Sequence, residues 1–180
     1  SATGKTVWEI DAAHTEVGFS VRHMMITTVR GRFGGVSGRI ELDAERPERS
    51  SVEVTIDAAS ISTGTPDRDT HLRSADFLDV ETYPELTYRS RAVESTGEGA
   101  WRVTGDLTMH GVTREVVLEA LQEGHARDPW GGRRASFSAT TKIDRRDFGL
   151  TWNAAMETGG VLVGNEVRIS LEVQAVQAEA

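Results

Sequence analysis

Alternation with a period of two runs through most of this chain of 180 residues. Val17, Phe19 and Val21 alternate with Gly18, Ser20 and Arg22, and Val36, Gly38, Ile40 and Leu42 with Ser37, Arg39, Glu41 and Asp43. Val52, Val54 and Ile56, then Trp101, Val103, Gly105, Leu107 and Met109, repeat the pattern. So do Phe137, Ala139 and Ile143, and finally Val163, Val167, Ile169, Leu171 and Val173. Successive side chains of a strand point to opposite sides, so each segment has one apolar and one polar face. That is the pattern of antiparallel strands with one face in water. The stretch Thr113–Leu121 differs: it is apolar on both parities at Val116–Leu118, which predicts cover on both faces.

Turn signals divide the chain into about eight strands, many for a flat open sheet. Closing the sheet removes its edges and turns every apolar face inward. The expected fold is all-β: one closed antiparallel eight-stranded barrel spanning 1–180. Such a barrel is either filled by its own side chains or holds one small ligand. Interior glycines such as Gly38 and Gly105 predict room inside.

One segment breaks the alternation. Thr65-Pro66-Asp67-Arg68-Asp69 reads as a helix start, with Thr65 as N-cap, Pro66 at the first helical position and aspartates at the positive end of the dipole. Leu72, Ala75 and Leu78 supply an apolar stripe, and Pro84 bounds the helix. A short helix capping one barrel end is expected. The Met24–Val29 loop and the segment Arg127–Arg133 read as mobile connections.

Composition narrows the chemistry. Asp+Glu number 28 against 20 Lys+Arg, a net charge of −8, which disfavours nucleic acid as a partner. Without cysteine there is no disulfide scaffold, thiolate metal centre or thiol nucleophile. No apolar run approaches the roughly 20 residues of a transmembrane helix. Ser1–Lys5 lacks the apolar stretch of a secretory signal, so the expected location is the cytoplasm, or the periplasm or exterior if a signal was removed. No cofactor or metal site is expected, because His14, His23, His71, His110 and His125 show no His-x-His or His-Glu-x-x-His spacing. Arg68 and Asp69 read either as an ion pair fixing the helix or, for Arg68, as a partner for an anionic head group at the barrel mouth.

These segments together resemble the YceI-like family. Trp8-Glu9-Ile10-Asp11-Ala12-Ala13-His14, Phe19-Ser20-Val21-Arg22-His23 and Arg68-Asp69-Thr70-His71-Leu72 carry the resemblance. Gly105-Asp106-Leu107-Thr108-Met109-His110-Gly111, Asp147-Phe148-Gly149-Leu150 and Val163-Gly164-Asn165-Glu166-Val167 continue it. Thr15 and Asn165 depart from the usual serine and aspartate. The resemblance implies a lipocalin-like barrel with a long tunnel for a polyisoprenoid, isoprenoid quinone or fatty-acid derivative. It also implies a homodimer, a transport role and an association with stress response, and it supplies no catalytic set.

The expected function is therefore binding, carriage or sequestration of a long amphiphile. Val17, Phe19, Val21, Ile40, Val54, Ile56, Val103, Leu107, Phe137, Ile143, Val167 and Ile169 are the expected tunnel lining, with His14, Arg68 and His71 at the head group. Two alternatives stand beside it. One is a small enzyme using the cavity on an apolar substrate, which needs convergent groups such as His14, His71 or His110. The other is a filled barrel serving as an interaction module.

Overall fold

A computed structural model describes residues 4–157 and 159–178. These residues form strands β1 (Lys5–Ile10), β2 (Glu16–His23), β3 (Thr27–Phe33), β4 (Val36–Asp43) and β5 (Ser51–Asp57). Helix α1 (Pro66–Arg73) follows, and then β6 (Glu85–Gly97), β7 (Ala100–Met109), β8 (Val112–Arg127), β9 (Arg133–Asp144) and β10 (Val163–Gln177). All pairings are antiparallel, in the order β1-β4-β5-β6-β7-β8-β9-β10, and β1 pairs with β10 to close the ring. β2 and β3 extend the ring at one end, where β2 also pairs with β10.

The ten segments make an eight-stranded barrel because β1 with β2, and β3 with β4, are each one strand broken once. The first break is a 3-10 turn at Ala12–His14, started by the Asp11 carboxylate accepting the Ala13 amide at 3.0 Å. The second is Gly34-Gly35. Gly35 lies so close to β5 that an added Cβ would stand 2.7 Å from the Asp57 Cβ, and its carbonyl accepts the Asp57 amide at 2.8 Å. β10 spans both breaks. Ile169 lies opposite Phe19 of β2, whereas Ala175 lies opposite Ile10 of β1.

Beyond the Gly34-Gly35 break, β3 leaves the ring and the segment between β5 and β6 fills the space. Arg32 and Ser62 exchange backbone bonds at 2.9 Å each way. Helix α1 caps this end as expected but is shorter than the apolar stripe predicts. Its last residue is Arg73, and Ala75 and Leu78 lie in the turns that follow. The Ser74 hydroxyl takes the His71 carbonyl at 2.6 Å, competing with the next helical bond. Leu78 remains buried at the barrel end.

Two further expectations change. Val116 is buried, but Val117 is 38% exposed and its neighbour Leu121 faces solvent too, so β8 is covered on one side only. Interior glycine does not leave open space at residue 105. The Tyr88 ring crosses it, and a Cβ there would lie 2.7 Å from the phenol oxygen.

The opposite end is tied by charge. Arg134 on β9 donates to Asp11 at 2.9 Å and to Asp128 at 3.2 Å. Asp128 also accepts the amides of Trp130 and Gly132, within the segment expected to be a mobile connection. The His14 and Arg134 hydrogen bonds hold the Asp11 carboxyl below the ordinary 3.8. The Gly132 amide, with Trp130 and Arg134, does the same for Asp128. Both groups have depressed folded-state pKa values. Their contribution is present above the ordinary aspartate value and lost as pH falls below it. Arg134→Met is expected to shrink the loss of stability as pH falls below about 4, measured by urea unfolding at a series of acid pH values.

Candidate functional site

Inward parity from all eight composite strands converges on a cavity of ≈ 340 Å³. This is the size range of small-molecule sites. The wall is almost wholly apolar. All twelve positions expected at the lining, from Val17 on β2 to Ile169 on β10, stand on this wall. Ile56, Val103 and Leu107 also belong to the buried core around it. Toward the far end Trp101 and Phe137 narrow the cavity, with ring centroids 6.4 Å apart, packed with buried Trp8, Ala135 and Ala175.

Tyr88 is the polar group built into the middle of the wall. Its hydroxyl is shared between the carbonyls of Val116 at 2.9 Å and Val103 at 3.3 Å. Burial, reinforced by the Asp106 charge, pushes the phenol pKa well above its usual 10.0. Tyr88 is therefore a neutral donor with its proton already committed, and the wall stays uncharged there.

Cationic residues gather at the helix end, where His23, Arg68, His71 and Arg145 contribute to the lining; Glu41, toward the other end of β4, is its one carboxylate among the described residues. Arg68 and Asp69 do not pair directly. Both bind Thr63: Arg68 Nε donates to its hydroxyl at 2.7 Å and Nη2 to its carbonyl at 3.0 Å, while the Asp69 carboxylate accepts the Thr63 amide at 2.8 Å and its hydroxyl. This relay places Arg68 at the rim and leaves its Nη1 out of these bonds. His71 accepts or donates at Asp76, 2.8 Å away, and stands edge-on to Phe77 and Trp152. Those three rings form the cap beneath α1.

His14 lies elsewhere. It sits in the 3-10 turn between β1 and β2, bonded through Nδ1 to Asp11 at 2.8 Å, and is not part of the cavity wall. The expectation that His14 meets a head group at the mouth is therefore not met: its ring is held by Asp11 in the turn, away from the wall. His110 occupies the β7–β8 turn with φ 56°, packed edge-on against Tyr83 and bonded to the Phe148 carbonyl at 3.0 Å. His14, His71 and His110 are thus engaged in three separate surroundings. Among the described residues no three His, Asp or Glu side chains come together as a metal-binding group.

Arg145 is the site residue that sequence reasoning missed. It is 4% exposed, and among the described residues no carboxylate forms a salt bridge with its guanidinium. Instead it donates to the carbonyls of Gly164, Leu150, Trp152 and Val163 at 2.7–3.3 Å. Burial lowers its pKa, and the nearby Asp144 charge opposes that shift. Asn153 completes the arrangement, giving its amide to Val163 O at 2.7 Å and accepting Val163 N at 3.0 Å. Together they fold the β9–β10 connection into a fixed lip carrying Trp152. No local pattern marks Arg145, because its partners lie up to 19 residues away. Arg145→Met is expected to cost about 3 kcal/mol or more by orphaning several carbonyls, measured by urea unfolding; a change within 0.5 kcal/mol would show that the lip holds without it.

A family model described as a YceI-like domain matches residues 8–175. A UPF0312 protein of Pseudomonas putida strain GB-1 is 44% identical over 140 residues, covering 78% of this chain and 73% of that protein. The crystal structure of the Campylobacter jejuni YceI protein is similar at 31% identity and a TM-score of 0.74, covering 88% of this chain and 90% of that one. A domain from Saccharophagus degradans, described as polyisoprenoid binding and implicated in plant cell wall breakdown, shares the fold. Its TM-score is 0.66 at 16% identity, with 95% of this chain and 98% of that chain covered.

Proposed function

The chain belongs to the YceI-like family, and from that premise we propose that it binds a long-chain amphiphile of the isoprenoid or lipid class and carries or sequesters it within the barrel. The observation that carries this reading is the cavity itself: almost wholly apolar along its wall, with Arg68, His71 and Arg145 among its lining at the helix end. Each methylene moved from water into such a wall contributes about 0.8 kcal/mol, so a long chain is held with little demand on its head. Arg68 and His71 at the rim meet the polar head. His14 has no part in that role. The description of the Saccharophagus degradans domain as polyisoprenoid binding supports the isoprenoid end of the class. A homodimer belongs to the same reading.

The experiment is native mass spectrometry of the purified protein, followed by organic extraction and identification of what is released. One long-chain isoprenoid or lipid per chain is the expected result. Val54→Trp combined with Ile169→Trp fills the cavity from two strands and is expected to reduce retention at least about tenfold, with the β-sheet circular dichroism unchanged. Unchanged retention in that variant would overturn the tunnel as the binding site.

A further inference from the structure

The turn between β2 and β3 carries Met24, Met25 and Ile26 outward, at 44%, 58% and 74% exposure. Val161, 41% exposed, lies on the neighbouring β9–β10 lip. The two tips touch: the Met24 amide donates to the Leu162 carbonyl at 2.7 Å, and the Met25 sulfur packs directly on Gly160. The apolar tips therefore continue the cavity wall outward, since Leu162 and Val163 line the cavity itself.

Met24 and Met25 also sit at φ 55° and 63°, a left-handed conformation that glycine, asparagine or aspartate adopts at lower cost. Hydrogen bonds brace the tip in this conformation. The Arg22 guanidinium holds the Met25 carbonyl at 3.2 Å and the Thr28 hydroxyl at 3.1 Å, and the Thr27 hydroxyl holds the His23 carbonyl at 2.9 Å. Below the tip, the outer face of the hairpin carries Arg30 and Arg32 on alternate positions of β3, beside Arg22 on β2, and Glu16 pairs with Arg32 at 3.6 Å. This is an arginine row on a protein of net charge −8.

We propose that this hairpin tip and the adjoining lip dock the mouth of the barrel onto an anionic lipid bilayer. The inference rests on the reading of the cavity as a lipid site. A few side chains at two loop tips fall far short of the roughly 800 Å² per partner of a stable protein interface. They suit partition into a bilayer surface, where apolar tips enter the acyl boundary and arginines meet headgroup phosphates. The ligand then passes between bilayer and cavity along one apolar surface, without crossing water.

The test is flotation with phosphatidylcholine vesicles, with and without phosphatidylglycerol, together with solution binding of a fluorescent polyene fatty acid. The protein is expected to float with phosphatidylglycerol vesicles and less so at high salt. Met25→Asp with Ile26→Asp should cut the floated fraction about tenfold and slow probe transfer from vesicles, while probe binding in solution is unchanged. Aspartate tolerates the left-handed site, so the variant keeps its fold. Arg30→Glu should weaken only the phosphatidylglycerol-dependent part. Absence of flotation, or flotation insensitive to both substitutions, overturns the proposal. So does a doubled mass in sedimentation that Met25→Asp abolishes, which would assign the tip to a second copy of the chain. If the protein floats as expected but takes up no probe, docking stands and the cavity reading fails.

Discussion

Closure of the sheet by β10 is the interaction on which everything else depends. One strand of 15 residues bonds β9 along one side and, on the other, first β2 and then β1. This leaves no edge within the ring, so every inward apolar side chain is committed to the interior. Eight strands enclose more space than the inward side chains fill, and the cavity follows from that mismatch. The closure also explains why both breaks are tolerated. At Ala12–His14 the local pairing changes but β10 continues past it, and at Gly34-Gly35, where β5 ends, the Arg32–Ser62 bridge takes over.

The breaks in turn create the polar end. Because β3 leaves the ring, backbone groups near residues 58–63 need partners, and arginines provide them. Arg73 donates to the carbonyls of Ala59 and Ile61, and Arg68 and Asp69 clamp Thr63 from either side. Across the mouth, Arg145 serves the β9–β10 connection in the same manner. The charges at this end are therefore structural first. Their distribution also makes the mouth polar while the wall behind it is not.

Much of this architecture was legible in the residues. The wall positions were, because parity along an uninterrupted strand fixes which side chains share a face: Val103 and Leu107, or Val167 and Ile169, could face only one way. Legibility failed where the chain leaves that regime. His14 sits in the 3-10 turn that breaks the strand, so the parity of its neighbours says nothing about it. Val117 has an apolar side chain with no layer outside to cover it, which only tertiary structure reveals. Ala75 and Leu78 kept helical spacing although the Ser74 hydroxyl ends the helix. Arg145 binds backbone carbonyls, and carbonyls carry no sequence signature.

The indoles of the molecule are distributed in a way that has an optical consequence. Trp152 stands in the cap at the helix end and Trp101 toward the far end, both on the cavity wall. Trp130 projects into solvent at 85% exposure, and Trp8 is buried in the cluster against which Trp101 packs. Emission from the first two responds to what fills the space between them, while Trp130 emits from water regardless. The barrel thus contains its own depth gauge: an occupant short enough to reach only the cap perturbs one indole, and a longer one perturbs both.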